Sequence, residues 1–209
     1  MAYPIGKRIL FPIVKFWIKE INGIENIPNK KSFIIAANHS SYMDHFLMGY
    51  VIIPNLNKKL HFLAKKEHFK GLQKLWHNYG GAIPVDRQSG GKGALKCAIK
   101  SLKEGKIIGI YPEGTRSLNG KLQKAKTGVA RLALLSKAPV IPVGLIGTFE
   151  ILPKGKYIPK QKKAVINIGK PMHFDKYYKK PITKKLLRNI TTKIMKEIAK
   201  LSNQKYNFN

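Results

Sequence analysis

Two hydrophobic rhythms alternate along this chain. Short, mostly apolar runs at 33–37, 60–64, 82–85, 107–111, 140–146 and 165–168 are bounded by Gly, Pro or charged residues. Runs of that length with little polar alternation predict strands buried on both faces, as in a parallel sheet. Between them the apolar residues spread out at helical spacing. A helix leaves the first run with Phe46, Leu47, Val51 and Ile52 and is expected to end before Pro54. Further helices are expected around 67–78, at 92–104 with Gly105 as the stop, at 126–136 and at 184–201. The last carries Leu187, Ile190, Ile194, Ile198 and Leu201 on one face and lysines on the other. Strands alternating with helices, without internal repeats, predict a single-domain α/β layered fold with a central mostly parallel (mixed) sheet flanked by helices.

The first stretch, 5–21, keeps the helical rhythm too, with Ile9, Leu10, Ile13, Val14, Phe16 and Trp17 set against Arg8, Lys15 and Lys19. At 100° per residue the three cations fall within about 40° of one another and leave a wide apolar arc opposite. Pro12 is expected to kink or break this helix. It fits either a terminal helix packed on its own domain or one lying in a membrane interface.

In a parallel sheet the carboxyl ends of the strands lie along one edge, where open α/β sheets present reactive groups. His39, Lys65, Arg87 and the stretch 113–116 each follow an apolar run directly, and Asp44 falls in the first turn after His39. A His–Asp pair so placed points to a general base with an orienting carboxylate. Taken alone, it fits a helix-capping cluster as well.

Charge narrows the partners. Among 209 residues, 40 Lys+Arg face 10 Asp+Glu, a formal net charge of +30. Such a field draws polyanions: nucleic acid, anionic membrane, or acidic proteins and metabolites. Lysines occur in every segment, arginines are few, and no helix-turn-helix, zinc or RNP pattern is present, which argues against nucleic acid. The same charge favours the interfacial reading of the N-terminal helix. Arginine forks onto phosphate or carboxylate where lysine acts as a point charge, so Arg87 and Arg116 at the strand ends stand out. The lone Cys97 excludes an intrachain disulfide, fits a reducing compartment and is expected to pack inside its helix. No Cys/His cluster has metal-ligand spacing, and no Walker pattern occurs. No apolar segment reaches the ~18 residues of a membrane span, and no cleaved signal peptide is recognisable, so the chain is expected on the cytosolic side.

Four blocks carry a resemblance. They are Asn38-His39-Ser40-Ser41-Tyr42-Met43-Asp44, Gly81-Ala82-Ile83-Pro84-Val85-Asp86-Arg87, Tyr111-Pro112-Glu113-Gly114-Thr115-Arg116-Ser117 and Val140-Ile141-Pro142-Val143. In kind and order they resemble the motifs of the glycerolipid acyltransferases, specifically the bacterial 1-acylglycerol-3-phosphate acyltransferases, over about residues 23–170. Two departures stand out. The region before residue 23 is shorter than the two-helix membrane module of some members, and Pro84 stands where many carry an aromatic or aliphatic residue.

The resemblance implies a division into an N-terminal membrane-associating segment, 1–22, and a catalytic domain, 23–209. It implies that His39 deprotonates an alcohol attacking a thioester and that Asp44 fixes the imidazole tautomer. Ser40 and Ser41 are read as helix caps. Arg87 and Arg116, with Lys65 in support, are expected to clamp the phosphate of the acceptor, lysophosphatidic acid or, as the alternative, glycerol-3-phosphate or another lyso-lipid. Gly114 and Thr115 complete the substrate-binding set, and Glu113 is assigned to orient an arginine or a substrate hydroxyl. Acyl-CoA or acyl carrier protein enters as co-substrate, with no metal and no further cofactor. The chain is expected as a peripheral protein on the cytoplasmic face of an anionic phospholipid membrane. His45, His61, His68, His77 and His173 match no motif and are read as ordinary structural or surface residues.

Overall fold

The structure is a computed structural model and describes residues 6–29, 32–85 and 92–208. A π turn at Gly6–Leu10 leads into α1 (Phe11–Lys15), and β1 (Ile18–Asn22) follows. The chain then forms β2 (Ile34–Ala37), α2 (Asp44–Leu56), β3 (Leu60–Lys65), α3 (Gly71–Tyr79), β4 (Ile83–Val85) and α4 (Lys92–Lys103). After these come β5 (Ile107–Ile110), α5 (Gly128–Ser136), β6 (Val140–Ile146), α6 (Thr148–Ile151), β7 (Ala164–Ile168) and α7 (Lys184–Leu201).

The seven strands form one sheet in the order β1-β7-β6-β2-β5-β3-β4. All neighbours are parallel except β6 and β7. The sheet is thus mostly parallel and mixed, as the alternating rhythms predict.

Every residue of β2 is buried, and its side chains alternate between two cores. Ile34 and Ala36 join Ala98 and Leu102 of α4, Val129 and Leu132 of α5, and Ile190 and Ile194 of α7. Ile35 and Ala37 join Val14 of α1 and Leu47, Met48, Val51 and Ile52 of α2. With helices on both faces the central strands need no polar alternation, which is why they read as unbroken apolar runs. Because β2, β5, β3, β4 and β6 all point one way, the loops leaving them share one edge.

Four expectations fail. The N-terminal helix does not run to residue 21: it stops at Lys15, and Ile18–Asn22 becomes an edge strand parallel to β7. Pro54 does not end α2. It sits in the last turn, and the helix closes at Asn57, which adopts a left-handed φ of 51° with its N–H on the Ile53 carbonyl. The expected helix at 67–78 is split into a 3-10 turn at Lys66–His68 and α3, which opens on Gly71 at φ +52°. Cys97 is exposed on α4 rather than packed.

Candidate active site

The loop that joins β2 to α2 carries His39 and is tied down on three sides. Asn38, buried, uses its side-chain amide as a strand would: Nδ2 donates to the Leu145 carbonyl at 2.9 Å, and Oδ1 accepts the Leu145 N–H at 2.7 Å. Both main-chain groups of His39 are held by the loop after β5. Its N–H donates to Glu113 Oε1 at 2.7 Å, and its carbonyl accepts the Ser117 N–H at 2.8 Å. The third tie comes from α6: the Leu152 carbonyl accepts both the Tyr42 N–H and the Ser41 hydroxyl.

His39 Nδ1 lies 2.8 Å from Asp44 Oδ2. Asp44 is fully buried at the start of α2, where a carboxylate is favoured by the helix amides. The same Oδ2 accepts the N–H groups of Ser40 and Ser41, each at 2.9 Å. Three donors converging on one oxygen fix that oxygen in place. With Nδ1–H donating to it, the imidazole carries its lone pair on Nε2, the nitrogen left for a substrate proton. The ring is 11% exposed, enough to be reached from one side.

The flat side of the imidazole is occupied by an aromatic ladder. Tyr111 stacks on His39 with ring centroids 3.9 Å apart and planes 11° from parallel, and Phe62 stacks behind Tyr111 at 5.5 Å. Gly109 makes room for this ladder. A Cβ there would stand 2.3 Å from the Phe62 ring, so only glycine lets Phe62 lie over β5.

Glu113 is buried, and its environment differs from the expected one. Oε1 takes the His39 N–H, while Oε2 takes the Gln123 N–H at 2.8 Å and the Gln123 side-chain amide at 3.4 Å. Burial pushes its carboxyl up to about 7 against the pull of these donors. Its oxygens serve the protein's own amides, so it braces the base loop. Gly114 turns the chain at φ +76°, with the Lys126 side chain packed over it. Thr115 is exposed, and its carbonyl accepts from the Gln123 side chain. The Arg116 guanidinium lies 3.5 Å from the centroid of the Tyr42 ring, which places its charge beside the His39–Asp44 loop.

Arg87 lies outside the described residues. Lys65 ends β3 on the active edge, and its side chain also lies outside what the structure describes. Ser40 and Ser41 do not cap α2 through their hydroxyls. Ser40 pairs with Thr148 at 3.0 Å, and Ser41 accepts the Met43 N–H, so α2 starts without a side-chain cap. Among the described residues, no group of three His, Cys, Asp or Glu side chains is placed to hold a metal.

His45 is part of the site, contrary to its reading as an ordinary residue. Its ring centroid is 5.4 Å from that of His39 and 4.9 Å from that of Tyr111. It opens onto a cavity of about 490 Å³ whose lining is largely apolar and includes Phe11, Gly49, Ile53, Phe62 and Tyr79. Exposed to that cavity but walled in by protein, its imidazole is lowered to about 4, first by burial and then by the neighbouring His39. It is neutral at physiological pH.

A buried His–Asp pair at the carboxyl edge of a parallel sheet, beside an apolar cavity and an arginine, is a site of the general-base class, able to activate a hydroxyl. Comparisons with known proteins agree with that class. The family model described as "Acyltransferase" matches residues 19–146. The 1-acyl-sn-glycerol-3-phosphate acyltransferase of Bacillus subtilis is 34% identical over 186 residues, covering 86% of each chain. A chloroplastic enzyme of the same name from Arabidopsis thaliana is 30% identical over 78% of this chain and 46% of its own length. The crystal structure of PlsC, the 1-acyl-sn-glycerophosphate acyltransferase of Thermotoga maritima, superposes with a TM-score of 0.69 at 28% identity, covering 96% of this chain and 82% of that one. This chain belongs to the acyltransferase family.

Proposed function

We propose that this enzyme transfers an acyl group from a thioester to the free hydroxyl of 1-acyl-sn-glycerol-3-phosphate, giving phosphatidic acid. The observation that carries the reading is the 2.8 Å contact between His39 Nδ1 and Asp44. An alcohol ionises far too weakly to attack at neutral pH, and an imidazole held in one tautomer can take its proton in the transition state. The lipid oxygen forms its bond to the thioester carbon as its proton passes to His39 Nε2. Collapse of the tetrahedral intermediate breaks the C–S bond, and the imidazolium returns the proton to the departing thiolate. Asp44 stabilises the imidazolium meanwhile, and no acyl-enzyme is needed.

Apolar lining beside the base suits the fatty chain of a substrate. Arg116, with Arg87 and Lys65, is assigned to the acceptor phosphate, with Gly114 and Thr115 beside it. The donor is acyl-CoA or acyl carrier protein. Among the described residues, no helix is long and apolar enough to cross a membrane. We place the enzyme peripherally on the cytoplasmic face, where the strong positive charge meets anionic lipid.

The test is purified protein with lysophosphatidic acid and either acyl donor. Phosphatidic acid should form, and His39→Ala should lose activity by about 10² or more while remaining folded. Full activity in that variant defeats the mechanism.

A further inference from the structure

The loop between α6 and β7 meets the site described above at its first residue, Leu152, and then leaves it. Residues 153–163 carry Lys154, Lys156, Lys160, Lys162 and Lys163 and no acid. At the tip, Tyr157 and Ile158 are 87% and 84% exposed, the largest exposures among the bulky apolar side chains described. The loop is well anchored at its base. The Lys160 N–H donates to the Ile151 carbonyl at 2.8 Å, and the Lys156 N–H to that of Pro153 at 3.2 Å, closing an Ω-shaped segment.

One flank rests on the N-terminal helical turn. Trp17 Nε1 donates to the Lys160 carbonyl at 3.0 Å. The Lys163 ammonium lies 4.2 Å from the Phe16 ring centroid and donates to the Phe16 carbonyl. On that turn Ile9, Ile13 and Phe16 are exposed, at spacings of four and three that keep them on one side. Two apolar prominences, remote in sequence, are therefore joined at Trp17–Lys160 and Phe16–Lys163, with five lysines along the loop.

We propose that the 153–163 loop is a second lipid anchor, seating Tyr157 and Ile158 in the interface of an anionic bilayer together with the N-terminal helix. An aromatic and a branched aliphatic side chain flanked by lysines match the boundary between acyl chains and anionic headgroups. Each lysine brought near such a surface strengthens partitioning about fivefold. The anchor also bears on the reaction, and this step rests on the reading that the acceptor is a membrane lipid. Leu152, at the base of the loop, takes hydrogen bonds from Ser41 and Tyr42, so the seated loop sets the height of the His39–Asp44 loop above the lipid.

The experiment uses the full chain with vesicles of phosphatidylcholine alone or mixed with phosphatidylglycerol. A Tyr157→Ser, Ile158→Ser double variant should bind the mixed vesicles about tenfold or more weakly than the parent. Lys154→Gln with Lys156→Gln should lose most of the preference for phosphatidylglycerol. Both should turn over monomeric, short-chain lysophosphatidic acid as the parent does. Unchanged vesicle binding by the tip variant overturns the proposal, as does loss of its short-chain turnover, which would assign the loop to the site itself. The two readings fail separately. A parent that makes no phosphatidic acid yet binds vesicles through the tip defeats the acyl-transfer reading alone. An active parent whose tip variant binds normally defeats the anchor alone.

Discussion

Glu113 reaches His39 through the main chain: its Oε1 accepts the His39 N–H at 2.7 Å, while its other oxygen holds Gln123. The glutamate that follows β5 is thereby a brace between two loops. Glu113→Ala leaves two part-buried N–H groups without their acceptor, at a cost of about 1 kcal/mol each. Urea unfolding should register that loss. kcat should fall with little change in the KM for the acceptor, because the base is displaced and the phosphate contacts are not. A rise confined to KM would return Glu113 to substrate binding.

Asp44 offers a sharper test of the tautomer. Asp44→Asn preserves shape but presents a neutral side chain to Nδ1 and no longer stabilises the imidazolium. Activity should drop about 10³-fold or more, far beyond any loss of stability. Retention of a tenth of the parent's kcat would show that the ring does not need the carboxylate.

Tyr111 separates stacking from hydrogen bonding. Its hydroxyl is buried without a hydrogen-bond partner in the protein, and burial pushes its ionisation well above the usual phenol value. Tyr111→Phe should therefore be as stable as the parent, or more so by about 1 kcal/mol, with activity kept. Tyr111→Leu removes the ring from His39 and should lower kcat about tenfold. Equal activity in both variants would deny the stack any part in holding the base.

Arg116→Lys keeps a charge but gives up the planar guanidinium over Tyr42 and its forked hydrogen bonding. The KM for lysophosphatidic acid should rise several-fold with kcat little changed. An unchanged KM removes Arg116 from the phosphate clamp.

Two shifted groups give the protein a concealed pH response. Glu113 titrates near 7 in the folded state against an ordinary 4.5, so the fold binds its proton more tightly than the unfolded chain does. That contribution is complete below about 4.5 and is lost as pH rises to about 7. His45 titrates near 4 against 6.5, so its contribution is complete above about 6.5 and is lost as pH falls to about 4. The slopes oppose each other over nearly the same window. Glu113→Gln should leave stability rising with pH across it, and His45→Gln should leave stability falling. Urea midpoints measured across the window check both signs, and slopes of one sign in the two variants would contradict the assignment.

Much of the fold is legible along the chain because its central strands are buried on both faces. Ile34–Ala37 and Val140–Ile146 announce themselves by apolar continuity, a purely local signal. β1 is not legible in this way. Ile18 and Ile21 fit a helix or a strand equally well, and the choice is made by β7, far along the chain. The same division holds at the site. His39 and Asp44 are five positions apart, and their pairing follows from one turn of chain. The Glu113–His39 contact spans 74 residues, and the spacing of Glu113 from other residues carries no sign of it. His45 was hidden for a different reason: nothing marks it in sequence except that it follows Asp44, and its role comes from the cavity it faces.

β1 closes the edge of the sheet by pairing with β7, and the hydrogen bond between Asn22 and Asn167 joins residues 145 positions apart. Translation imposes an order on that contact. The first strand leaves the ribosome with no partner to meet, and it waits until nearly the whole chain has been made. In that interval the turn ahead of it can pack on α2, where Phe11 meets the Tyr50 ring, but the edge of the sheet stays open until Ala164–Ile168 arrives.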